Sequence, residues 1–232
     1  MAERLVAFWP SAVRRRKVLD LGSGTGEGSR AALAVGATVI AADLALDMLR
    51  FGREARPPAA AGDAIALPFR DDAFEAVLAP FSLNHLHDPA QGVREAGRVG
   101  RRLVASTYAA GDDHPAKAAV EHALSDVGWS RPAWYSQVRG SMASWGTVAA
   151  ATAVVERGGL TPERVERLDI GFDDFGPREL VAWRMGLPHA ANFLATLDGE
   201  AQAHVEARAL ELLGPAPPPL VRRVIFVAAS RP

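Results

Sequence analysis

Val18-Leu19-Asp20-Leu21-Gly22-Ser23-Gly24-Thr25-Gly26 is a short apolar run that breaks into three alternating glycines. Val18, Leu19 and Leu21 suit a strand covered on both faces. Gly22, Gly24 and Gly26 permit positive φ and let a ligand approach the backbone closely where a helix begins. Strand, turn and helix start together outline a cofactor site. The spacing is Gly-x-Gly-x-Gly, with Glu27 where a dinucleotide fingerprint puts its third glycine, and Asp20 adds negative charge just ahead of the turn. Both features oppose a pyrophosphate.

Working outward, Ala37 to Ala42 reads as a second buried strand that ends on Asp43, where a carboxylate can take a ribose diol. Gly62-Asp63-Ala64 follows the apolar run Ala59-Ala60-Ala61, and the strand Ala76-Val77-Leu78-Ala79 runs into Pro80-Phe81-Ser82-Leu83-Asn84-His85. With Asp71-Asp72-Ala73-Phe74-Glu75 ahead of that strand, Leu86-His87-Asp88-Pro89 after it and Arg94-Glu95-Ala96-Gly97-Arg98-Val99 beyond, the succession resembles the class I S-adenosylmethionine-dependent methyltransferases. The likeness is to their small-molecule branch, of the quinone and natural-product type. It is close over residues 17–107 and looser beyond.

The resemblance implies an α/β fold: a Rossmann-like seven-stranded sheet with helices on both faces, its last strand antiparallel between the fifth and sixth. It implies that Asp20, Gly22, Gly24 and Gly26 hold the amino-acid end of S-adenosyl-L-methionine. Asp43 would bind the ribose hydroxyls, Asp63 would receive the adenine amino group with Ala64 against the ring, and Phe81 and Ser82 would line the cofactor. Two departures stand out. Val99-Gly100-Arg101-Arg102 replaces the family's Leu-x-Pro-Gly-Gly turn, and residues 1–17 leave little length for an N-terminal lid helix.

Composition narrows the classes further. A chain of 232 residues is long enough for one large α/β domain, read here as residues 1–232. Lysine plus arginine is 26 against 27 acids, a net charge of −1, which gives no field to hold nucleic acid. The run Arg14-Arg15-Arg16-Lys17 reads as a solvated lead-in to the first strand. The absence of cysteine removes disulfides, thiolate zinc sites and a thiol nucleophile. Apolar runs are too short for a signal peptide or a membrane span, so a cytoplasmic location is expected. His85, His87 and Asp88 have no second carboxylate cluster to complete a metal site, and no metal is expected. Oligomeric state is not legible.

Beyond residue 107 the substrate is decided. Leu103 to Thr107 reads as the fifth strand, Gly146 to Arg157 as a helix closed by Gly158-Gly159, Arg164 to Ile170 as the sixth strand and Val221 to Ala229 as the last. Residues 108–143 and 173–219 are insertions that the sheet does not need, and they are expected to form a cap. The second shows helical patterns at Arg178 to Met185 and Glu200 to Leu213, with a stiff connector at Gly214-Pro215-Ala216-Pro217-Pro218-Pro219. Trp129, Trp134, Trp183, Tyr108 and Tyr135 gather in these insertions, and Trp145 borders one. Tyr108, Trp134, Tyr135 and Trp183 are therefore expected substrate contacts for an apolar or aromatic molecule, packing of the insertions being the alternative.

Methyl transfer from a sulfonium needs an aligned acceptor, exclusion of water and, for a weakly acidic acceptor, removal of a proton. His85, His114 and His189 are the candidate bases, with a loop-fixing hydrogen bond as the other reading of His85. Asp88 is a good N-cap with Pro89 at the first helical position, and His122 and His204 fall on helix surfaces. The expected function is S-adenosylmethionine-dependent methyl transfer to O, N or C of a hydrophobic or aromatic small molecule by in-line displacement. One alternative is a methyltransferase-like module that binds cofactor without methyl transfer; another uses the bound sulfonium to assist a cyclisation. A third is an NAD(P)-dependent oxidoreductase, disfavoured by Glu27 and by the lack of Tyr-x-x-x-Lys: Asp112 follows Tyr108, and Arg139 follows Tyr135, at that spacing.

Overall fold

Each apolar block between glycine or proline turns can be covered on two faces, which selects parallel strands joined by helices. In the computed structural model, which describes residues 1–135 and 144–232, the strands are β1 (Lys17–Leu21), β2 (Thr38–Asp43), β3 (Ala59–Ala61), β4 (Ala76–Pro80), β5 (Arg102–Tyr108), β6 (Thr161–Phe172) and β7 (Leu220–Ser230). Among the described residues they form one seven-stranded sheet of order β3-β2-β1-β4-β5-β7-β6. β1 to β5 pair in parallel, and β7 runs antiparallel to β5 from Arg102 opposite Ser230 to Tyr108 opposite Val224. The chain reverses its direction of travel across the sheet between β1 and β4, so a crevice opens at their carboxyl ends.

The chain divides into two compact units: residues 1–110, 140–168 and 224–232 make the first, and residues 111–139 and 169–223 the second. The first unit contains helices α1 (Ala2–Phe8), α2 (Pro10–Val13), α3 (Glu27–Ala34), α4 (Leu46–Arg50), α5 (Pro89–Val99) and α7 (Val148–Arg157). Alternate strand residues serve opposite faces. Leu19, Leu21, Val77, Ala79, Leu103, Ala105, Ile225 and Val227 share a core with Val93, Ala96 and Val99 of α5 and Ala151, Val154 and Val155 of α7. On the other face Asp20 meets the first turn of α3, and Phe226 meets Phe8 of α1 edge to face at 5.5 Å.

Residues 1–17 thus hold more helix than their length promised, because Leu5, Val6, Ala12 and Val13 are buried. The turn that lacks Pro-Gly-Gly is compact: Gly100 donates its N–H to Ala96 O at 2.9 Å and bridges to Phe74, so β5 starts two residues later. Asp88 caps α5 by accepting from the N–H of Ala90 at 3.1 Å, with Pro89 at the first helical position.

The second unit draws on both expected insertions and the adjoining ends of β6 and β7. It contains α6 (Pro115–Asp126), α8 (Pro177–Met185), α9 (Pro188–Leu194) and α10 (Gly199–Leu213). Val120, Leu124, Trp129, Val181, Leu194 and Val205 form its core. No helix among the described residues is long and apolar enough to cross a membrane.

Candidate functional site

The carboxyl ends of β1, β2, β4 and β5 in the first unit carry most of the residues singled out by sequence. Gly22, Gly24 and Gly26 all adopt left-handed backbone, with φ of 65°, 49° and 94°. A Cβ on Gly22 would stand 2.2 Å from the Ser82 Cβ, so only glycine lets the turns after β1 and β4 meet. The Gly22 and Ser23 N–H groups both donate to Ala42 O, at 2.8 and 3.0 Å, which ties the turn to β2.

Asp43 completes this tie. Its Oδ2 accepts the Gly24 N–H at 2.8 Å and its Oδ1 accepts the Ala45 N–H at 2.9 Å, leaving each oxygen a further lone pair. Asp63 lies just past β3, which pairs with β2 so that Asp43 is opposite Ala61. Asp63 Oδ1 accepts the Ile65 N–H at 3.1 Å and thereby shapes its own turn. Leu44 and Ile65, beside these two carboxylates in sequence, are 72% and 45% exposed, large apolar side chains left at the surface. Sequence reading passed over both, although an exposed leucine after a strand-ending acid is a readable signal.

Asp20 is fully buried. Its Oδ2 accepts the Ser29 Oγ–H at 2.6 Å, and a Cβ on Gly28 would come within 2.4 Å of Oδ1, so the carboxylate is turned into the first turn of α3. Burial pushes its pKa up to about 6, against the hydrogen bonds from Ser29 and the charge of Arg56. Arg56, also missed by sequence, clamps the turn from outside by donating to Gly24 O and to Met48 O. Nothing in its local sequence marks it, because both acceptors are brought to it by the fold.

Seven buried polar atoms here lack a hydrogen-bond partner among the described residues: Asp20 Oδ1, Ser23 Oγ, Arg56 Nε, Ser82 Oγ, both Asn84 amide atoms and Thr107 Oγ1. Native interiors leave few such atoms, and these belong to the ends of β1, β4 and β5, to the glycine turn and to Arg56, which clamps that turn. Donors and acceptors of this kind fit the charged amino-acid end of a ligand. The exposed apolar residues with Asp43 and Asp63 fit its nucleoside.

Phe81 takes φ of 52°, a conformation that costs a non-glycine residue about 1 kcal/mol or more. The Phe81 N–H, which donates to Ser106 O and Ser106 Oγ at 3.1 Å each, holds it there. Its ring stacks on Tyr108 with centroids 4.5 Å apart. His85 follows in a short helical turn and is exposed as a residue, yet the protein crowding its ring lowers its pKa, with the Asp43 charge acting in the opposite sense. The imidazole is therefore neutral at pH 7 and able to accept a proton.

The remaining expected residues belong to the second unit. His114 is a capping residue there: Nδ1 accepts the Ala116 N–H at 3.2 Å and Nε2 lies 2.9 Å from Pro218 O, so both nitrogens are engaged with the backbone. His189 is buried and stacked on Tyr135, with ring centroids 4.0 Å apart and planes nearly parallel. Its backbone carbonyl accepts Trp129 Nε1–H at 3.0 Å. Trp134 is 46% exposed, and Trp183 lies beside the guanidiniums of Arg184 and Arg222. The aromatic set thus divides. Tyr108 joins the edge that carries Asp43, Trp145 is core of the first unit, and Trp129 is core of the second.

A family profile described as a methyltransferase domain matches residues 19–103. A demethylmenaquinone methyltransferase from Corynebacterium kroppenstedtii is 38% identical over 111 residues, 44% of this chain and 48% of that protein. One from Mycolicibacterium vanbaalenii is 31% identical over 182 residues, 71% of this chain and 80% of its own length. In the first of these matches the chain spans about half the length of its relative. Among solved structures, a Bacillus halodurans protein provisionally assigned as a methyltransferase superposes with a TM-score of 0.61 at 20% identity, over 98% of both chains, a likeness of fold.

Proposed function

The chain belongs to the class I S-adenosylmethionine-dependent methyltransferases, and from that premise we propose that it methylates O, N or C of a hydrophobic, aromatic small molecule by in-line displacement. When bound, S-adenosyl-L-methionine supplies a methyl group already activated on a positively charged sulfur. The observation that carries the reading is the 2.8 Å hydrogen bond from Gly24 N–H to Asp43, which makes the glycine turn and the ribose-binding carboxylate one rigid piece.

Asp43 uses its remaining lone pairs for the ribose hydroxyls. Asp63 and Ala64 take the adenine, with Leu44 and Ile65 as its apolar neighbours. Asp20, Gly22, Gly26 and Ser82 hold the amino-acid end, where the orphaned polar atoms lie. The Phe81 and Tyr108 stack offers an aromatic wall to the acceptor and keeps water from it. Neutral His85 receives the proton of an acidic acceptor. Because the similar proteins are named for demethylmenaquinone, that compound is the first acceptor to offer.

Calorimetric titration with S-adenosylmethionine and S-adenosylhomocysteine tests the first half of the proposal. The parent should bind both, and Asp43→Ala should weaken binding at least tenfold, about 1.4 kcal/mol. A folded parent that binds neither ends the methyltransferase reading. Product mass tests the second half: a panel of apolar aromatic acceptors of which none gains a methyl group would leave a cofactor-binding module.

A further inference from the structure

The second unit contains a cationic recess to which methyl transfer assigns no role. Four cations of that unit, Lys117, Arg131, Arg184 and Arg222, stand with three carboxylates. Asp112 binds Arg222 through contacts of 2.7 to 3.2 Å, Asp113 binds Lys117 at 3.1 Å, and Glu121 binds Arg131 at 2.6 Å. Arg184 has only a share in Glu121, which Arg131 already holds by the shorter contact. It comes no nearer to Glu121 than 3.6 Å, beyond hydrogen-bonding reach, and lies 3.4 Å from His189 Nε2. The residue is only 7% exposed, and its Nε has no hydrogen-bond partner among the described residues.

His189 offers no counter-charge, since an imidazole is neutral or positive; burial first and then Arg184 push its pKa down to about 4 and keep the ring neutral. A buried guanidinium whose nearest carboxylate is shared and not hydrogen-bonded to it is incompletely compensated, and water does not neutralise it. Beside it is a cavity of about 30 Å³ lined by Asp112, Asp113, Lys117, Trp183, Arg184 and Arg222, among others. That space exceeds what one water needs and suits the two oxygens of a carboxylate, not a whole ring.

We propose that this recess binds the carboxylate group of a small molecule, with Arg184 Nε–H as its buried donor and Lys117 and Arg222 as flanking charges. The planar fork of arginine matches a carboxylate in shape as well as charge. Trp183, whose ring lies 5.5 and 5.2 Å from the Arg184 and Arg222 guanidiniums, is a built-in reporter. A carboxylate bound here touches none of the residues assigned to the methyl donor.

The whole chain is titrated with sodium acetate, and separately with sodium chloride at the same ionic strength, while tryptophan emission is followed. A saturable response to acetate alone is expected. Arg184→Gln should weaken it at least tenfold, and Arg184→Lys, which keeps the charge without the fork, should fall between. Melting temperatures establish that each variant is folded, and if the glutamine variant is not, the lysine variant and the acetate-to-chloride comparison decide. Equal responses to the two salts, or a folded Arg184→Gln that responds like the parent, would overturn the proposal. So would inorganic phosphate displacing acetate at lower concentration than acetate itself requires, since the recess would then be a general oxyanion site.

Discussion

Asparagine at position 20 should make the protein more stable at neutral pH. The Asp20 carboxyl titrates at about 6 in the folded chain against an ordinary 3.8, chiefly because it is buried. At 1.36 kcal/mol per pH unit this gap amounts to about 3 kcal/mol. The sign follows from the raised value: the contribution to stability is full below 3.8 and is lost as pH climbs through about 6. Asparagine has the same shape, keeps an oxygen for the Ser29 hydroxyl and never ionises. The stability of Asp20→Asn minus that of the parent should therefore be small at pH 3.5 and climb toward a plateau of about 1–3 kcal/mol above pH 7. The attraction of Arg56 is already contained in the value of about 6, which burial alone would push higher. Urea unfolding followed by circular dichroism, repeated across that range, gives the difference curve directly. A flat curve, or an asparagine variant less stable than the parent at pH 7, would refute the reasoning. The same variant should bind S-adenosylmethionine less well, because an ionised group kept at such cost beside the glycine turn serves a cationic ligand.

His189 should show the mirror image. Its pKa falls from 6.5 to about 4, so its contribution of about 3 kcal/mol is present above 6.5 and is lost as pH falls through 4. The same urea series should find that His189→Gln erodes less than the parent on acidification; parallel curves would count against a buried neutral ring. In the parent the two slopes oppose one another between pH 4 and 6, and each variant exposes the one that remains. Gly22→Ala combines a φ of 65° with a 2.2 Å clash against Ser82, so it should cost at least about 1–3 kcal/mol. Thermal unfolding checks it, and an unchanged midpoint would mean that the turns after β1 and β4 are not pressed together.

The parts of this molecule legible in sequence are those whose determinants are neighbours in the chain. β1 and its glycine turn, the acid that ends β2 and the Asp88 cap each fit within a few residues, and apolar blocks punctuated by turns announce parallel strands. β6 begins at Thr161, ahead of the expected Arg164, because this edge strand is largely exposed and its charged residues carry no apolar signal. The short helices α1 and α2 were unreadable for the opposite reason: their stability comes from burial against the rest of the unit, which no local propensity records. Arg56 finds its acceptors 8 and 32 positions away. Likewise the division of the aromatic residues between two units is a property of long-range topology, and composition could only show that they cluster.

The antiparallel placement of β7 has a consequence for synthesis. β5 receives its outer neighbour from Val224 to Ser230, residues that follow the whole of the second unit in the chain. A ribosome-bound chain that has emerged through Tyr108 can lay down β1 to β5 and their helices, but it must hold an open, apolar strand edge while the second unit is made. Closing so long a loop is slow, and an unpaired edge invites other chains. The late arrival of β7 makes that waiting period the interval in which this protein is most exposed to aggregation and most dependent on chaperones.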